Sequence, residues 1–332
     1  MRTWVPDVLG DGFAATTLDL GPQADGPVVA TLVRYRPGEG AADWAERTAV
    51  LYVHGFNDYF FQRHLAERMH AEGYAFHALD LRRAGRSLRD GQVPHFVTEL
   101  TEHVPELTAS ARILRDEERH PRLVVMAHST GGLVASLWAH SLRRAGVIDA
   151  LVLNSPWFDL NARWFQRVVS SRVLDVVGPL DPMRVVADGM SAYSHHLHVS
   201  HGGRWDYDLA LKPPEGFPVR AGWLRAVRRG QARLARGLRI AAPVLVATSA
   251  RSGPNRLDNP ALDREDTVLD VAQIAARARL LGPDVTLATV DGGVHDLVLS
   301  APAARERYLA TVTAWLEGAL QERRSADERV AP

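Results

Sequence analysis

Apolar residues along this 332-residue chain fall into two alternating patterns. Short, nearly unbroken apolar runs at 28–35, 49–53, 75–80, 123–127, 150–153, 244–247 and 285–290 read as strands. Segments 62–72, 103–118, 132–145, 271–281 and 304–322 instead space their apolar residues at helical intervals. Strands this apolar, separated by helices, predict an α/β fold: a mostly parallel sheet with helices on both faces.

The alternation breaks between 157 and 238. That stretch holds Trp157, Trp164, Trp205 and Trp223, several prolines, and the run Ser194-His195-His196-Leu197-His198-Val199-Ser200-His201. It predicts helices and loops inserted over the carboxyl ends of the strands, where open parallel sheets form their sites. The expected organisation is a core built from 1–156 and 239–332, with a helical cap at 157–238. The polar tail 325–332 is expected to fray.

Composition narrows the function classes. Lys plus Arg and Asp plus Glu both number 39, so no net charge draws the chain to nucleic acid or to an anionic membrane. Lys212 is the sole lysine. With no cysteine, disulfides, thiolate catalysis and cysteine-based zinc sites are excluded. The first residues, Met1-Arg2-Thr3-Trp4-Val5-Pro6-Asp7, lack the apolar centre of a signal peptide, and no apolar run reaches the roughly 18 residues of a membrane span. A cytoplasmic location without membrane insertion is the expectation.

The chemistry centres on Leu123-Val124-Val125-Met126-Ala127-His128-Ser129-Thr130-Gly131-Gly132. A strand-like run stops at a serine, and two glycines lead into a helical pattern. A serine at the apex of such a turn projects its hydroxyl from the sheet, against a helix N-terminus that favours negative charge. Ala127 and Gly131 are small enough for the tight approach. A serine nucleophile needs a base, and the base needs an acid to fix its tautomer. His295, in Asp291-Gly292-Gly293-Val294-His295-Asp296, follows the last strand on a glycine-rich loop and is the candidate base. Asp258, Asp263, Glu265, Asp266 and Asp270 lie in the long loop after the strand at 244–247. Asp266, directly before Thr267-Val268-Leu269, is the preferred acid, with Asp270 next and Asp263 third. Two backbone donors for an oxyanion are expected at Thr130 and Phe56, the latter in His54-Gly55-Phe56-Asn57-Asp58. His54, Asn57, His128, Trp157, Trp164 and Trp205 are candidates to touch the substrate.

These residues, together with Asp80-Leu81-Arg82-Arg83-Ala84-Gly85-Arg86-Ser87, resemble the α/β-hydrolase superfamily. Within it the chain is similar to the monoacylglycerol lipase and lysophospholipase-like serine hydrolases. The resemblance spans nearly the whole chain. It implies an eight-stranded core, a cap after the sixth strand, and ester hydrolysis through an acyl-enzyme. It departs from the family pattern at Arg83, where glycine is common, at Ala127 in place of glycine, and in the long acid loop.

The expected activity is therefore cleavage of an apolar carboxylic ester by Ser129, Asp266 and His295, with no cofactor and no metal. Thioester or carbon–carbon hydrolysis, acyl transfer and an elimination step use the same constellation, because fold does not fix function. A non-catalytic binding protein is the alternative from another class. The four insertion histidines lack a supporting shell of ligands for a metal. The expected partner is a small ester, and the sequence leaves the oligomeric state open.

Overall fold

The computed structural model describes residues 2–38, 43–159, 178–188 and 191–330, with side chains described through 325. Eleven strands appear among them: β1 (Val5–Pro6), β2 (Phe13–Gln23), β3 (Gly26–Tyr35), β4 (Ala49–Val53), β5 (Ala75–Asp80), β6 (Leu123–His128), β7 (Ala150–Asn154), β8 (Val185–Ala187), β9 (Val219–Arg220), β10 (Val244–Ser249) and β11 (Val285–Val290). Nine of them form one sheet in the order β1-β2-β3-β5-β4-β6-β7-β10-β11. From β5 to β11 every pairing is parallel, while β1, β2 and β3 join antiparallel at one edge. The eight strands implied by the resemblance are present, and the two-residue β1 makes a ninth.

Strand β2 has no counterpart among the apolar runs of the sequence. Its Ala-Ala-Thr-Thr centre carries little apolar signal, because only one face is consistently covered. The central strands are covered on both faces and split their residues with period two. In β4, Ala49, Leu51 and Val53 enter one core, and Val50 and Tyr52 enter the other. The first core is closed by helices α2 (Val104–Arg112), α3 (Ser129–Ser141), α5 (Ala221–Ala235) and α6 (Val271–Ala278). The second is closed by α1 (Arg63–Ala71) and α7 (Pro302–Val330). The remaining helix, α4 (Ala192–Leu197), belongs to the insertion. Helix α7 runs through most of the tail expected to fray.

The insertion after β7 carries α4, a short antiparallel pair β8–β9 and α5. Helix α5 is not laid over the strand ends alone. Trp223, Leu224, Ala226 and Val227 are buried in the same apolar cluster as the sheet. No helix among the described residues is long and apolar enough to cross a membrane.

Candidate active site

Strand β6 runs straight into α3, and Ser129 at the junction adopts φ 51°, a left-handed conformation rare for a residue with a side chain. The turn is held by close backbone approach from β4. A Cβ on Gly55 would sit 2.9 Å from the Ser129 Cβ, and one on Gly131 would collide with the His54 carbonyl. Both positions therefore exclude any larger residue unless the turn opens.

His295 reaches this turn from the loop after β11. Its Nδ1 lies 3.0 Å from Asp266 Oδ2, and its Nε2 lies 3.1 Å from Ser129 Oγ. A carboxylate only accepts, so Nδ1 carries the proton and Nε2 is left to accept from the serine hydroxyl. Asp266 is fully buried, and its other oxygen accepts the Val268 and Leu269 amides at 2.9 and 2.8 Å. The carboxylate is thus fixed by the Thr267-Val268-Leu269 return. Asp270 instead caps α6, accepting the Ala272 amide at 2.9 Å. Asp263 pairs with His196 and Arg204 in the insertion. Of the loop carboxylates weighed from sequence, the structure brings Asp266 to His295.

Phe56 follows Gly55 on the loop after β4, and no hydrogen bond among the described residues occupies its amide. Thr130 lies in the first turn of α3, where amides have no intrahelical acceptor. His54 is a framework residue: Nδ1 donates to the Gly55 carbonyl at 2.7 Å, and Nε2 accepts the Leu81 amide at 3.0 Å. Burial keeps its imidazole below the ordinary range. Asn57, at φ 61°, accepts the Phe217 amide at 2.6 Å and so ties this loop to the insertion. His128 lies beside His295, ring centroids 4.8 Å apart, with Nδ1 donating to the Asn154 carbonyl at 3.1 Å. Burial lowers its pKa as well.

The aromatic candidates divide. Trp157 packs 5.9 Å from Trp223, which packs 4.0 Å from Phe56, making an aromatic wall that includes the Phe56 ring. Trp205 donates to the Leu299 carbonyl at 2.8 Å and is stacked on His64. It fastens the insertion to the core. Trp164 lies outside the described residues.

Several residues near the site were not among the candidates from sequence. Asp296, next to His295, accepts from Asn154 Nδ2 at 2.6 Å and from the Val298 amide at 3.0 Å, which pins the histidine loop to the end of β7. Tyr193 from α4 meets the His295 ring edge-on at 5.7 Å. Asp58 forms a buried 2.7 Å ion pair with Lys212. Asp58, His128 and Asp296 approach one another closely enough for a metal. The Lys212 ammonium and the Asn154 and Gln62 amides already serve those carboxylates, so no cation is needed there. The singularity of Lys212 was the one trace of this pair in the sequence.

Arg83, where the family commonly has glycine, takes φ 58°. Its guanidinium grips Asp25 at 2.7 Å and Gln23 at 2.7 Å, and this anchor offsets the strain of the left-handed turn.

A family model described as serine aminopeptidase, S33, matches residues 45–252. Solved structures share the fold at low identity. A soluble variant of the Saccharomyces cerevisiae monoglyceride lipase, in complex with a substrate analog, aligns with TM-score 0.69 and 15% identity over 96% of this chain and 99% of its own. The monoacylglycerol lipase of Paleococcus ferrophilus aligns with TM-score 0.60 and 17% identity over 82% and 97%. A lipase in its open form gives 0.62 and 17% over 92% and 99%. Curated proteins give no match by sequence.

Proposed function

The chain belongs to the serine aminopeptidase, S33, family of α/β-hydrolases, and we propose that it is a serine hydrolase of carboxylic esters with an apolar acyl part. One observation carries the reading: His295 stands between the Ser129 hydroxyl and the buried Asp266 carboxylate, in hydrogen-bond contact with both.

The steps follow from that geometry. Ser129 Oγ attacks the ester carbonyl carbon as its proton passes to His295 Nε2. Asp266 stabilises the imidazolium and keeps the ring oriented. The carbonyl electrons move onto oxygen, which the Phe56 and Thr130 amides receive beside the positive end of α3. Each such donor contributes on the order of 3 kcal/mol to the transition state. Collapse expels the alcohol, which takes the proton from His295. A water, deprotonated by the same nitrogen, then hydrolyses the acyl-serine.

The aromatic wall of Phe56, Trp223 and Trp157 supports an apolar substrate, since such pockets are lined mainly by apolar and aromatic groups. Thr130 Oγ1 and Trp157 Nε1 are buried polar atoms without a partner among the described residues, and a polar atom of the substrate would satisfy them. The remainder of the proposal is that residues 157–238 act as a cap selecting the acyl group, with the chemistry left to the core.

Stopped-flow mixing with p-nitrophenyl esters of increasing acyl length tests the reading. A burst of about one nitrophenolate per enzyme, largest for medium or long chains, is expected for an acyl-enzyme whose breakdown is slow. Absence of turnover on every nitrophenyl and glyceryl ester would contradict it.

A further inference from the structure

A second group of ionisable side chains lies at the amino-terminal ends of the strands, the opposite end of the sheet from Ser129. His77 is on β5. Glu118 and His120 lie in the link from a π-helical turn, Ile113–Glu117, to β6. Both histidine side chains are fully buried and that of Glu118 is 11% exposed. Nothing in the proposed reaction uses them.

Their hydrogen bonds leave a conflict. Nδ1 of His77 lies 3.2 Å from the Ala75 carbonyl, and Nδ1 of His120 lies 3.0 Å from the Arg47 carbonyl. Carbonyl and carboxylate oxygens both only accept, so a neutral ring can serve one of its two contacts and leaves a lone pair against the other; with Nδ1 protonated toward the carbonyl, that lone pair is at Nε2. Both Nε2 atoms face one oxygen, Glu118 Oε2, at 3.2 and 3.3 Å. Lone pairs aimed at a carboxylate oxygen repel unless positive charge stands among them. Two imidazolium ions would have to sit with ring centroids 5.6 Å apart, both buried, beside an Arg34 that already pairs with Glu118 Oε1 at 3.0 Å. Burying such ions is costly. A coordinated metal ion answers the same geometry without protonating either ring.

We propose that His77 Nε2, His120 Nε2 and Glu118 Oε2 bind a divalent transition-metal ion of the zinc class. The three ligand atoms lie within 4.8 Å of one another. A tetrahedral ion with bonds near 2.0–2.1 Å spaces its ligands about 3.3 Å apart, which matches the two nitrogen–oxygen separations. The Nδ1–H to carbonyl bonds are those that orient metal-binding histidines. Arg34 on Oε1 and the Trp44 indole, donating to Oε2 at 2.9 Å, fix the carboxylate. Between Glu118 and His120, Arg119 takes φ 63°, so the chain reverses its local direction there. Imidazole and carboxylate donors suit zinc, nickel or copper rather than calcium or magnesium. The ion would staple β5 to the segment that leads into β6.

The test is metal uptake by chelator-treated protein. Calorimetric titration with zinc chloride is expected to give about one tight equivalent and a raised melting temperature. Cobalt(II) is expected to give the visible absorption bands of a four-coordinate ion. Glu118→Gln and His120→Gln should abolish both signals and leave ester turnover within about twofold. To control for adventitious uptake by the insertion histidines, a His195→Asn/His201→Asn variant must keep the signals. Wild-type protein that takes up neither ion stoichiometrically overturns the proposal. So does uptake that survives Glu118→Gln, or uptake that disappears with the His195/His201 pair. If the ligand variants do not fold, X-ray absorption of the cobalt form decides: two imidazole nitrogens with one carboxylate oxygen support the site, and any other shell overturns it.

Discussion

At the residue scale, position in the elbow and in the acid loop decides role. Asp266 and Asp270 are four residues apart, yet one is buried against His295 and the other caps a helix. Asp266→Asn is expected to lower ester turnover by about 10⁴-fold, because the amide favours the wrong imidazole tautomer. Asp270→Ala is expected to cost about 1 kcal/mol of stability as a lost N-cap, with turnover nearly unchanged. Steady-state kinetics and urea denaturation of the two variants separate these outcomes, and a reversed pattern would reassign the acid. The turn that holds Ser129 and the loop that holds His295 were legible because glycines and strand ends mark them locally. The sequence offered His54 as a substrate contact. Only the fold shows that both its ring nitrogens are spent on backbone groups. Asn154 and Tyr193 gave no signal, since their contacts with Asp296 span more than 100 positions of sequence.

At the element scale, the central strands β4, β5, β6, β7 and β10 could be read from the sequence because burial on both faces makes them continuously apolar. Strand β2 could not, since a half-covered edge strand made of Ala and Thr resembles a loop in composition. The helix expected from 132 starts at Ser129, three residues earlier, because the elbow residue itself opens it. The element that sequence served least is the insertion, which is tied to the loop after β4 by three bonds among the described residues. Asn57 accepts the Phe217 amide, Tyr59 accepts the Asp208 amide at 2.9 Å, and Asp58 pairs with Lys212. Lys212→Met leaves the Asp58 charge buried and alone, an expected loss of about 3–5 kcal/mol. Adding Asp58→Asn should recover much of that loss, because a neutral pair has no charge left stranded. Urea melts of the single and double variants measure the coupling. Equal losses in both would mean that the pair is not a unit.

At the scale of the whole molecule, four ring systems make acid the weak side of stability. Burial lowers the pKa of His54, His95 and His128, and takes half-buried His64 from 6.5 to about 4. The unfolded chain binds these protons below about pH 6.5 and the folded chain resists them, so stability is complete above that value and falls as pH drops toward 4. Scanning fluorimetry at constant ionic strength is expected to show a melting temperature that declines steadily from pH 7 to pH 4.5. A rise over that interval would contradict the assignment. The parallel sheet gathers the carboxyl ends of β4, β6, β10 and β11 at one end, and on the proposed reading that convergence would make a nucleophile of a serine otherwise inert. Fluorophosphonate labelling tests this claim most directly, read by intact mass and peptide mapping. Wild-type protein is expected to gain one phosphonyl group, mapped to Ser129, while folded Ser129→Ala gains none and loses at least about 10³-fold in turnover. A folded Ser129→Ala protein that is still labelled and still hydrolyses esters would contradict the account.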